Sequence, residues 1–287
     1  MKTLVIQSFR TRSVPAWIER CLDSAKRWAA LRGYDYLCTD DRAFALCGDD
    51  YLARVNGNLR AIANLFRLEL VRQAHRDGYE RAVWIDADIF VFAPETFSID
   101  GVARYAFARE SWIEIIGPGT PSACWRATAG TNNSVLVCRR DEPDLEFLIA
   151  ATRHVALHRE VRTNYQVGGD LIKGLRASLD FEMLGSSGMF SNYIVLALAQ
   201  EVEMLLKVQA RCHGTAVHAA NLCASANYTP PVGEREIRAA MDRLERTRGG
   251  IVNQWLVGGT SPGLAPPDTV LFEGPPLGDL LAAPTLA

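Results

Sequence analysis

The alternation of apolar and polar positions divides the chain into strand-like and helix-like stretches. A short apolar run, Thr3 to Phe9, predicts a first buried strand, and Ser13 with Pro15 supplies a helix start directly after it. Trp17, Ile18, Cys21, Leu22, Ala25, Trp28 and Ala29 then recur at three- and four-residue spacing, the mark of an amphipathic helix, with Gly33 as its stop. Tyr34 to Cys38 reads as a second strand ending in Thr39, Asp40 and Asp41. Strand, helix and parallel strand at this spacing predict an open α/β sheet whose ligands sit beyond the carboxyl ends of the strands.

A loop carrying Asp49, Asp50, Asn56, Gly57 and Asn58 leads into a long helix, about Leu59 to His75, with Ile62, Phe66, Leu70 and Ala74 on one face and Gly78 closing it. Arg81 to Phe92 (RAVWIDADIFVF) is the most strand-like segment, an apolar run broken only by Asp86 and Asp88. Further strands are predicted at Tyr105 to Ala108 and Ser134 to Cys138, a helix from near Pro143, an apolar patch at Thr215 to Ala220 around His218, and an amphipathic helix over Glu234 to Arg248 ended by Gly249 and Gly250. Glycine and proline make up 11 of the 30 residues from Gly258 to Ala287, which predicts an irregular or partly disordered tail with little structure of its own. The domain reading is 1–230 as one unit, in two parts over about 1–95 and about 96–230, followed by a C-terminal helix and tail over 231–287.

Composition narrows the function classes. With 287 residues, 48% of them hydrophobic, the chain can bury a substantial core. Thirty-one basic against 33 acidic residues give a net charge of −2, no field that gathers nucleic acid. The longest strongly apolar stretch, Tyr193 to Ala199, is far short of the roughly 20 residues that span a bilayer. The start has no secretory pattern, and the seven cysteines are an odd number without a CxxC pair. Both features point to reduced thiols in a cytoplasm.

Asp86 and Asp88 carry the chemistry. On a strand, two positions apart means the same side, so the two carboxylates are expected to converge. Burying such a pair without compensation costs several kcal/mol, and a divalent cation is the natural compensation. Oxygen ligands of this kind suit magnesium or manganese, which keep positions for water and substrate phosphates.

VWIDADIFVF, preceded by a helix reading NLFRLELV, resembles the GT-A fold nucleotide-sugar glycosyltransferases, and most of all family 8, the retaining galactosyl- and glucosyltransferases. The resemblance covers roughly residues 1 to 225. It implies a mixed central sheet flanked by helices, and a manganese ion held by Asp86 and Asp88 that bridges the two phosphates of a UDP-sugar. It also implies a place near those phosphates for Arg67, a donor-sugar or acceptor contact for Asn132 in Asn132-Asn133-Ser134-Val135, and a third metal ligand at His218. The family's Lys-Pro-Trp after that histidine is absent. Its Asp-Gln-Asp helix start is only partly echoed by Gly168, Gly169 and Asp170. The acceptor implied is a saccharide or a lipid-linked sugar.

Several positions carry two readings. Gln7 and Ser8 at the end of the first strand, and Asp40 at the end of the second, stand where an α/β sheet meets a nucleotide, or serve as structural caps. His218 is either the ligand or a core histidine, with His213 the competing ligand. Asp170 is an acceptor contact or a helix N-cap. Arg109 and Glu110 face an acceptor cleft or form an ion pair, and Trp112, Trp125 and Tyr165 stack on sugars or fill the core. Two other functions compete with sugar transfer: an Asp-x-Asp phosphohydrolase, disfavoured because 85 residues of α/β pattern precede the motif, and a non-catalytic protein that only binds a nucleotide-sugar or a partner.

Overall fold

A computed structural model describes residues 1–117, 124–158, 164–223, 230–256 and 268–274. In chain order the elements are Thr3–Ser8 (β1), Ala16–Leu31 (α1), Asp35–Thr39 (β2), a 3-10 turn Asp41–Cys47, Asp49–Val55 (α2), Leu59–Arg76 (α3), Arg81–Ile85 (β3) and Ile89–Val91 (β4). Tyr105–Ile116 (β5), Cys124–Arg139 (β6), Pro143–His158 (α4), Gly169–Leu175 (α5), Glu182–Leu184 (β7), Ser187–Met189 (β8), Asn192–Gln200 (α6) and Glu203–His213 (α7) follow. Ala219–Asn221 (β9), Glu234–Thr247 (α8), Gly250–Asn253 (α9) and Thr269–Phe272 (β10) complete the described residues.

The central sheet runs β2-β1-β3-β6-β5-β7, with β10 added to β6. β1 pairs in parallel with β2 and β3, while β6 is antiparallel to β3 and β5, so the sheet is mixed and helices flank it. A second sheet of three short strands, β4-β9-β8, stands beside it. Three apolar clusters hold these layers. Leu65, Phe66, Leu68 and Val71 of α3 pack with Leu148 and Ile149 of α4 on one face. Ala25, Trp28 and Ala29 of α1 pack with Phe97 on the other, where the Trp28 indole N–H donates to the Phe97 carbonyl at 2.9 Å. The third joins α6, α7 and α8 to Phe90 and Trp17.

The predicted β-α-β opening, the long helix α3 and the helix α8 all form. The helix start is shifted: Pro15, not Ser13, is the residue before α1, and Ser13 sits at φ +52° without a capping bond to it. Gly249 ends α8 at φ +78°, where a Cβ would lie 2.6 Å from the Phe92 ring, so both conformation and space require glycine. The apolar stretch Tyr193 to Ala199 lies in α6 and is buried as far as Leu198. No described helix is long and apolar enough to cross a membrane.

Four predicted features are corrected. The Asp49–Asn58 loop is mostly helical, because Cys47, Tyr51 and Val55 recur every four residues and bury one face. The Arg81 to Phe92 run is not one strand but two, β3 in the central sheet and β4 in the small one, with a turn at Asp86–Asp88 between them. The strands over Tyr105 to Ala108 and Ser134 to Cys138 are the ends of a much longer ribbon, β5 with β6. Most of the tail lies outside the described residues; within 268–274, β10 pairs antiparallel with β6 and Phe272 stacks on Trp125 at 6.1 Å. The C-terminal helix shares one apolar cluster with α6 and α7 and is tied to α1 by Arg20, which pairs with Asp242 and Glu245 at 2.5 Å each.

Candidate active site

The chain changes sheets at Asp86-Ala87-Asp88. The Asp86 N–H donates to the Ser134 carbonyl at 2.8 Å, closing the last rung beyond β3, and the Ile89 N–H turns back to the Asp86 carbonyl at 3.0 Å. Thus the two carboxylates converge at a turn beyond the carboxyl end of a parallel strand, and not through strand alternation as expected. Asp86 Oδ1 accepts from the Trp84 indole at 2.6 Å and lies 3.4 Å from Arg67 Nη1. Asp88 is buried, and its Oδ1 accepts from Asn221 Nδ2 at 2.8 Å.

Burial pushes the Asp86 carboxyl up to about 6, opposed by Arg67 and the Trp84 N–H and reinforced by Asp88. The two acids are therefore close enough to repel. The buried Cys223 thiol is raised well above its ordinary value, first by burial and then by the charges of Asp88, Glu110 and Asp86.

Arg67 reaches this point from α3. It is 6% exposed, its Nε donates to the Ala63 carbonyl at 3.3 Å, its Nη1 donates to the Asn133 carbonyl, and its guanidinium lies 5.6 Å over the Trp84 ring. The Asn133 carbonyl is available because β6 bulges there. Phe107 pairs with Leu136, but its neighbour Ala108 pairs with Asn132, so Asn133, Ser134 and Val135 loop out against β5. A bulge beside a site re-aims side chains and main-chain groups. Asn132 accepts the Ser134 N–H at 2.7 Å and donates to Glu110 at 3.2 Å, while Lys173 Nζ holds the other Glu110 oxygen at 3.0 Å. Asn133 donates to Asn64 at 3.0 Å, and Gly168 packs so closely on Asn64 that a Cβ would stand 2.5 Å from its amide nitrogen.

The expected site residues divide accordingly. Asp86, Asp88, Arg67 and Asn132 are brought together. Gln7 is corrected: it is fully buried, donates to the Asp86 carbonyl at 3.3 Å and accepts from Tyr36 Oη at 2.9 Å, so it braces the motif and is closed to a ligand. Ser8 ends β1 beside Thr39. Asp40 caps the 3-10 turn by accepting the Arg42 N–H at 3.1 Å, and Arg42 holds its carboxyl below the usual carboxylate range. It also lines, with Phe9, Thr11, Thr39 and Arg42, a cleft of about 580 Å³ at the carboxyl ends of β1 and β2.

His218 is corrected as well. β4 and β9 pair antiparallel with Ile89 opposite Asn221, so His218 lies opposite Phe92, and its Nδ1 is 2.9 Å from Thr96 Oγ1. Three residues of strand separate it from Asn221, about 10 Å. His213 does not replace it: fully buried, it meets the Gly185 carbonyl at 2.7 Å and Ser111 Oγ at 3.3 Å. Asp170 is exposed in the first turn of α5, whose cap is Gly168, so it is not the N-cap. Trp125 is core, packed edge-on to Tyr193 at 5.0 Å. Trp112 is half-buried with its N–H on Glu114, and the side chain of Tyr165 lies outside the described residues. Glu110 is the residue sequence reasoning placed least well; its ion pair is with Lys173 of α5, not with its neighbour Arg109.

The buried His213 has a measurable consequence. Burial pulls its value down to about 4, so the folded protein keeps it neutral while the unfolded chain takes up a proton near 6.5. The unfolded state then binds more protons as pH falls, and stability should drop by up to about 3 kcal/mol between pH 6.5 and 4 and level off below. Denaturant unfolding at pH 7 and 4.5 checks this, and His213→Gln should flatten that part of the profile.

Among the described residues no group of three or more His, Cys, Asp or Glu side chains gathers to hold a metal ion. Two converging acids, one buried and one raised in pKa, fit a hard divalent cation that takes its remaining oxygens from substrate phosphates and water.

The fold is that of a solved glycosyltransferase. The structure of a glycosyltransferase involved in the glycosylation of the major capsid of PBCV-1 superimposes with a TM-score of 0.51 at 11% identity, over 84% of this chain and 100% of that one. The PaToxG glycosyltransferase gives a TM-score of 0.38 at 10% identity over 87% of each chain, too low to add weight. No protein-family model matches the sequence, and no curated protein does either. The likeness therefore shows a mixed central sheet flanked by helices, shared with a glycosyltransferase.

Proposed function

We propose that the protein is a metal-dependent glycosyltransferase that moves a hexose from a nucleoside-diphosphate sugar, UDP-linked, to a saccharide or lipid-linked acceptor, with retention at the anomeric carbon. The observation that carries this reading is the Asp86/Asp88 pair set at the crossing from the central sheet to the small sheet, faced by Arg67 and by the bulge at Asn132–Val135. A magnesium or manganese ion held by Asp86 and Asp88 would supply positive charge to the diphosphate as it departs.

The chain's own groups account for the rest. Arg67 is fixed by two carbonyls and by Asp86, so its charge is preorganised beside the place where negative charge develops. The cleft at the ends of β1 and β2, with Asp40 on its wall, suits the nucleoside end of the donor. Asn132, Glu110 and Lys173, linked to one another through Glu110, are the hydrogen-bonding groups assigned to sugar hydroxyls. In retention by same-face attack, the acceptor oxygen bonds to the anomeric carbon as the bond to the phosphate oxygen breaks, and the acceptor proton passes to that oxygen. In this mechanism no protein nucleophile is needed.

Release of UDP from UDP-glucose and UDP-galactose, followed with manganese and then with excess EDTA, tests the reading. Release with one donor that stops on chelation is expected, and cleavage of the donor by water at the phosphoanhydride, giving UMP and sugar 1-phosphate, would point to the phosphohydrolase instead. The absence of turnover with every donor would leave a binding protein.

A further inference from the structure

On the metal-site reading above, we propose that Asn221 is the positioning residue of that site: its side-chain amide fixes the Asp88 carboxylate for the cation, in the place where a histidine was expected. Asn221 lies on β9 opposite Ile89, which puts it beside Asp88, and it is 6% exposed. Its backbone is locked on both sides. The Asn221 carbonyl accepts the Phe190 N–H at 2.8 Å, and the next residue, Leu222, donates its N–H to the Asp88 carbonyl at 3.2 Å.

The direction of the amide is settled by a second contact. Asn221 Oδ1 accepts the Cys223 N–H at 2.7 Å, so the amide NH2 is the end that faces Asp88, where it donates at 2.8 Å. Cys223 is buried at φ +51°, a left-handed conformation that costs a residue with a side chain and that persists when its surroundings hold it. Asn221 is part of what holds it. The strained residue, the amide and the acid form one unit: Cys223 orients Asn221, and Asn221 orients Asp88. Hydrogen-bonding partners of metal-ligating carboxylates set ligand orientation, and their loss typically weakens metal binding about 10- to 100-fold.

Two variants separate positioning from folding. Asn221→Asp keeps the shape and the acceptor for Cys223 but removes the donor to Asp88; Asn221→Ala removes both. Uptake of Mn2+ in the presence of UDP, counted by the EPR signal of the free ion, is expected to weaken at least 10-fold in Asn221→Ala; Asn221→Asp adds a carboxylate beside Asp88 and serves to assign the amide signals. In the metal-free protein, the Asn221 side-chain NH2 signals, assigned by their loss in Asn221→Asp, are expected to shift in Asp88→Ala.

A folded Asn221→Ala that takes up Mn2+ within twofold of the native protein, or Asn221 signals that do not move in Asp88→Ala, would overturn the role of Asn221 alone. Failure of the native protein to take up Mn2+ at all would remove the metal-site reading and this proposal with it.

Discussion

Asp88→Asn is expected to slow sugar transfer by about 10²- to 10³-fold, the cost of removing one preorganised electrostatic group from a transition state, while the melting temperature stays at or above that of the native protein. Asp88 is buried, and its charge adds to the rise that burial gives the Asp86 carboxyl, to about 6. Removing one of two like charges relieves that repulsion, and an asparagine side chain still offers an oxygen to Asn221 Nδ2. Stability and activity should therefore move in opposite directions, as they do where a site is held in a strained charge state for function. A parallel loss of both in calorimetry and in the UDP-release assay would mean that Asp88 is a structural residue.

Arg67→Ala is expected to do the reverse on stability. Arg67 is buried, and its removal leaves the Ala63 and Asn133 carbonyls short of a donor and Asp86 without its counter-charge. Breaking one side of a buried ion pair costs about 3 kcal/mol or more. For a chain of this size that lowers the melting temperature by roughly 6 to 12 °C. Arg67→Lys should recover little, since an ammonium lacks the planar fork that meets two carbonyls and a carboxylate from one stem. Differential scanning calorimetry decides the matter: a melting temperature within 2 °C of the native value, by rough conversion under 1 kcal/mol, would show that the pair contributes little.

Much of the framework is legible in the sequence because each element there has a single environment. α1 and α8 each show one apolar stripe, and Gly33 and Gly249 stop their chains where a left-handed residue is needed. The site is less legible at the places where neighbouring residues belong to different layers. Ile85 and Ile89 are both fully buried, one in the central sheet and one in the small sheet. Hydrophobicity alone therefore reads Arg81 to Phe92 as one strand and hides the turn that makes Asp86 and Asp88 converge. The bulge at Asn132–Val135 has no apolar signature, since it is defined by a four-residue jump in pairing against β5.

The histidine was misplaced for a related reason. His218 and Asn221 flank the same short apolar patch, and only the β4–β9 register shows that Asn221 is the one beside Asp88. By contrast, the helical character of Asp49 to Val55 was available in the spacing of Cys47, Tyr51 and Val55, under a surface of Asp and Arg that reads as loop. Gln7 illustrates a limit of position-based reasoning. It ends a strand where ligands are met in such sheets, yet Tyr36 and the Asp86 carbonyl consume its amide.

The central claim, a cation-bridged site for a nucleoside diphosphate, is tested most directly by calorimetric titration of UDP into the native protein with and without manganese, with GDP as the comparison. The account predicts binding of UDP that requires manganese, with GDP weaker. Equal affinity with and without the ion, or no heat from either nucleotide in its presence, would contradict it.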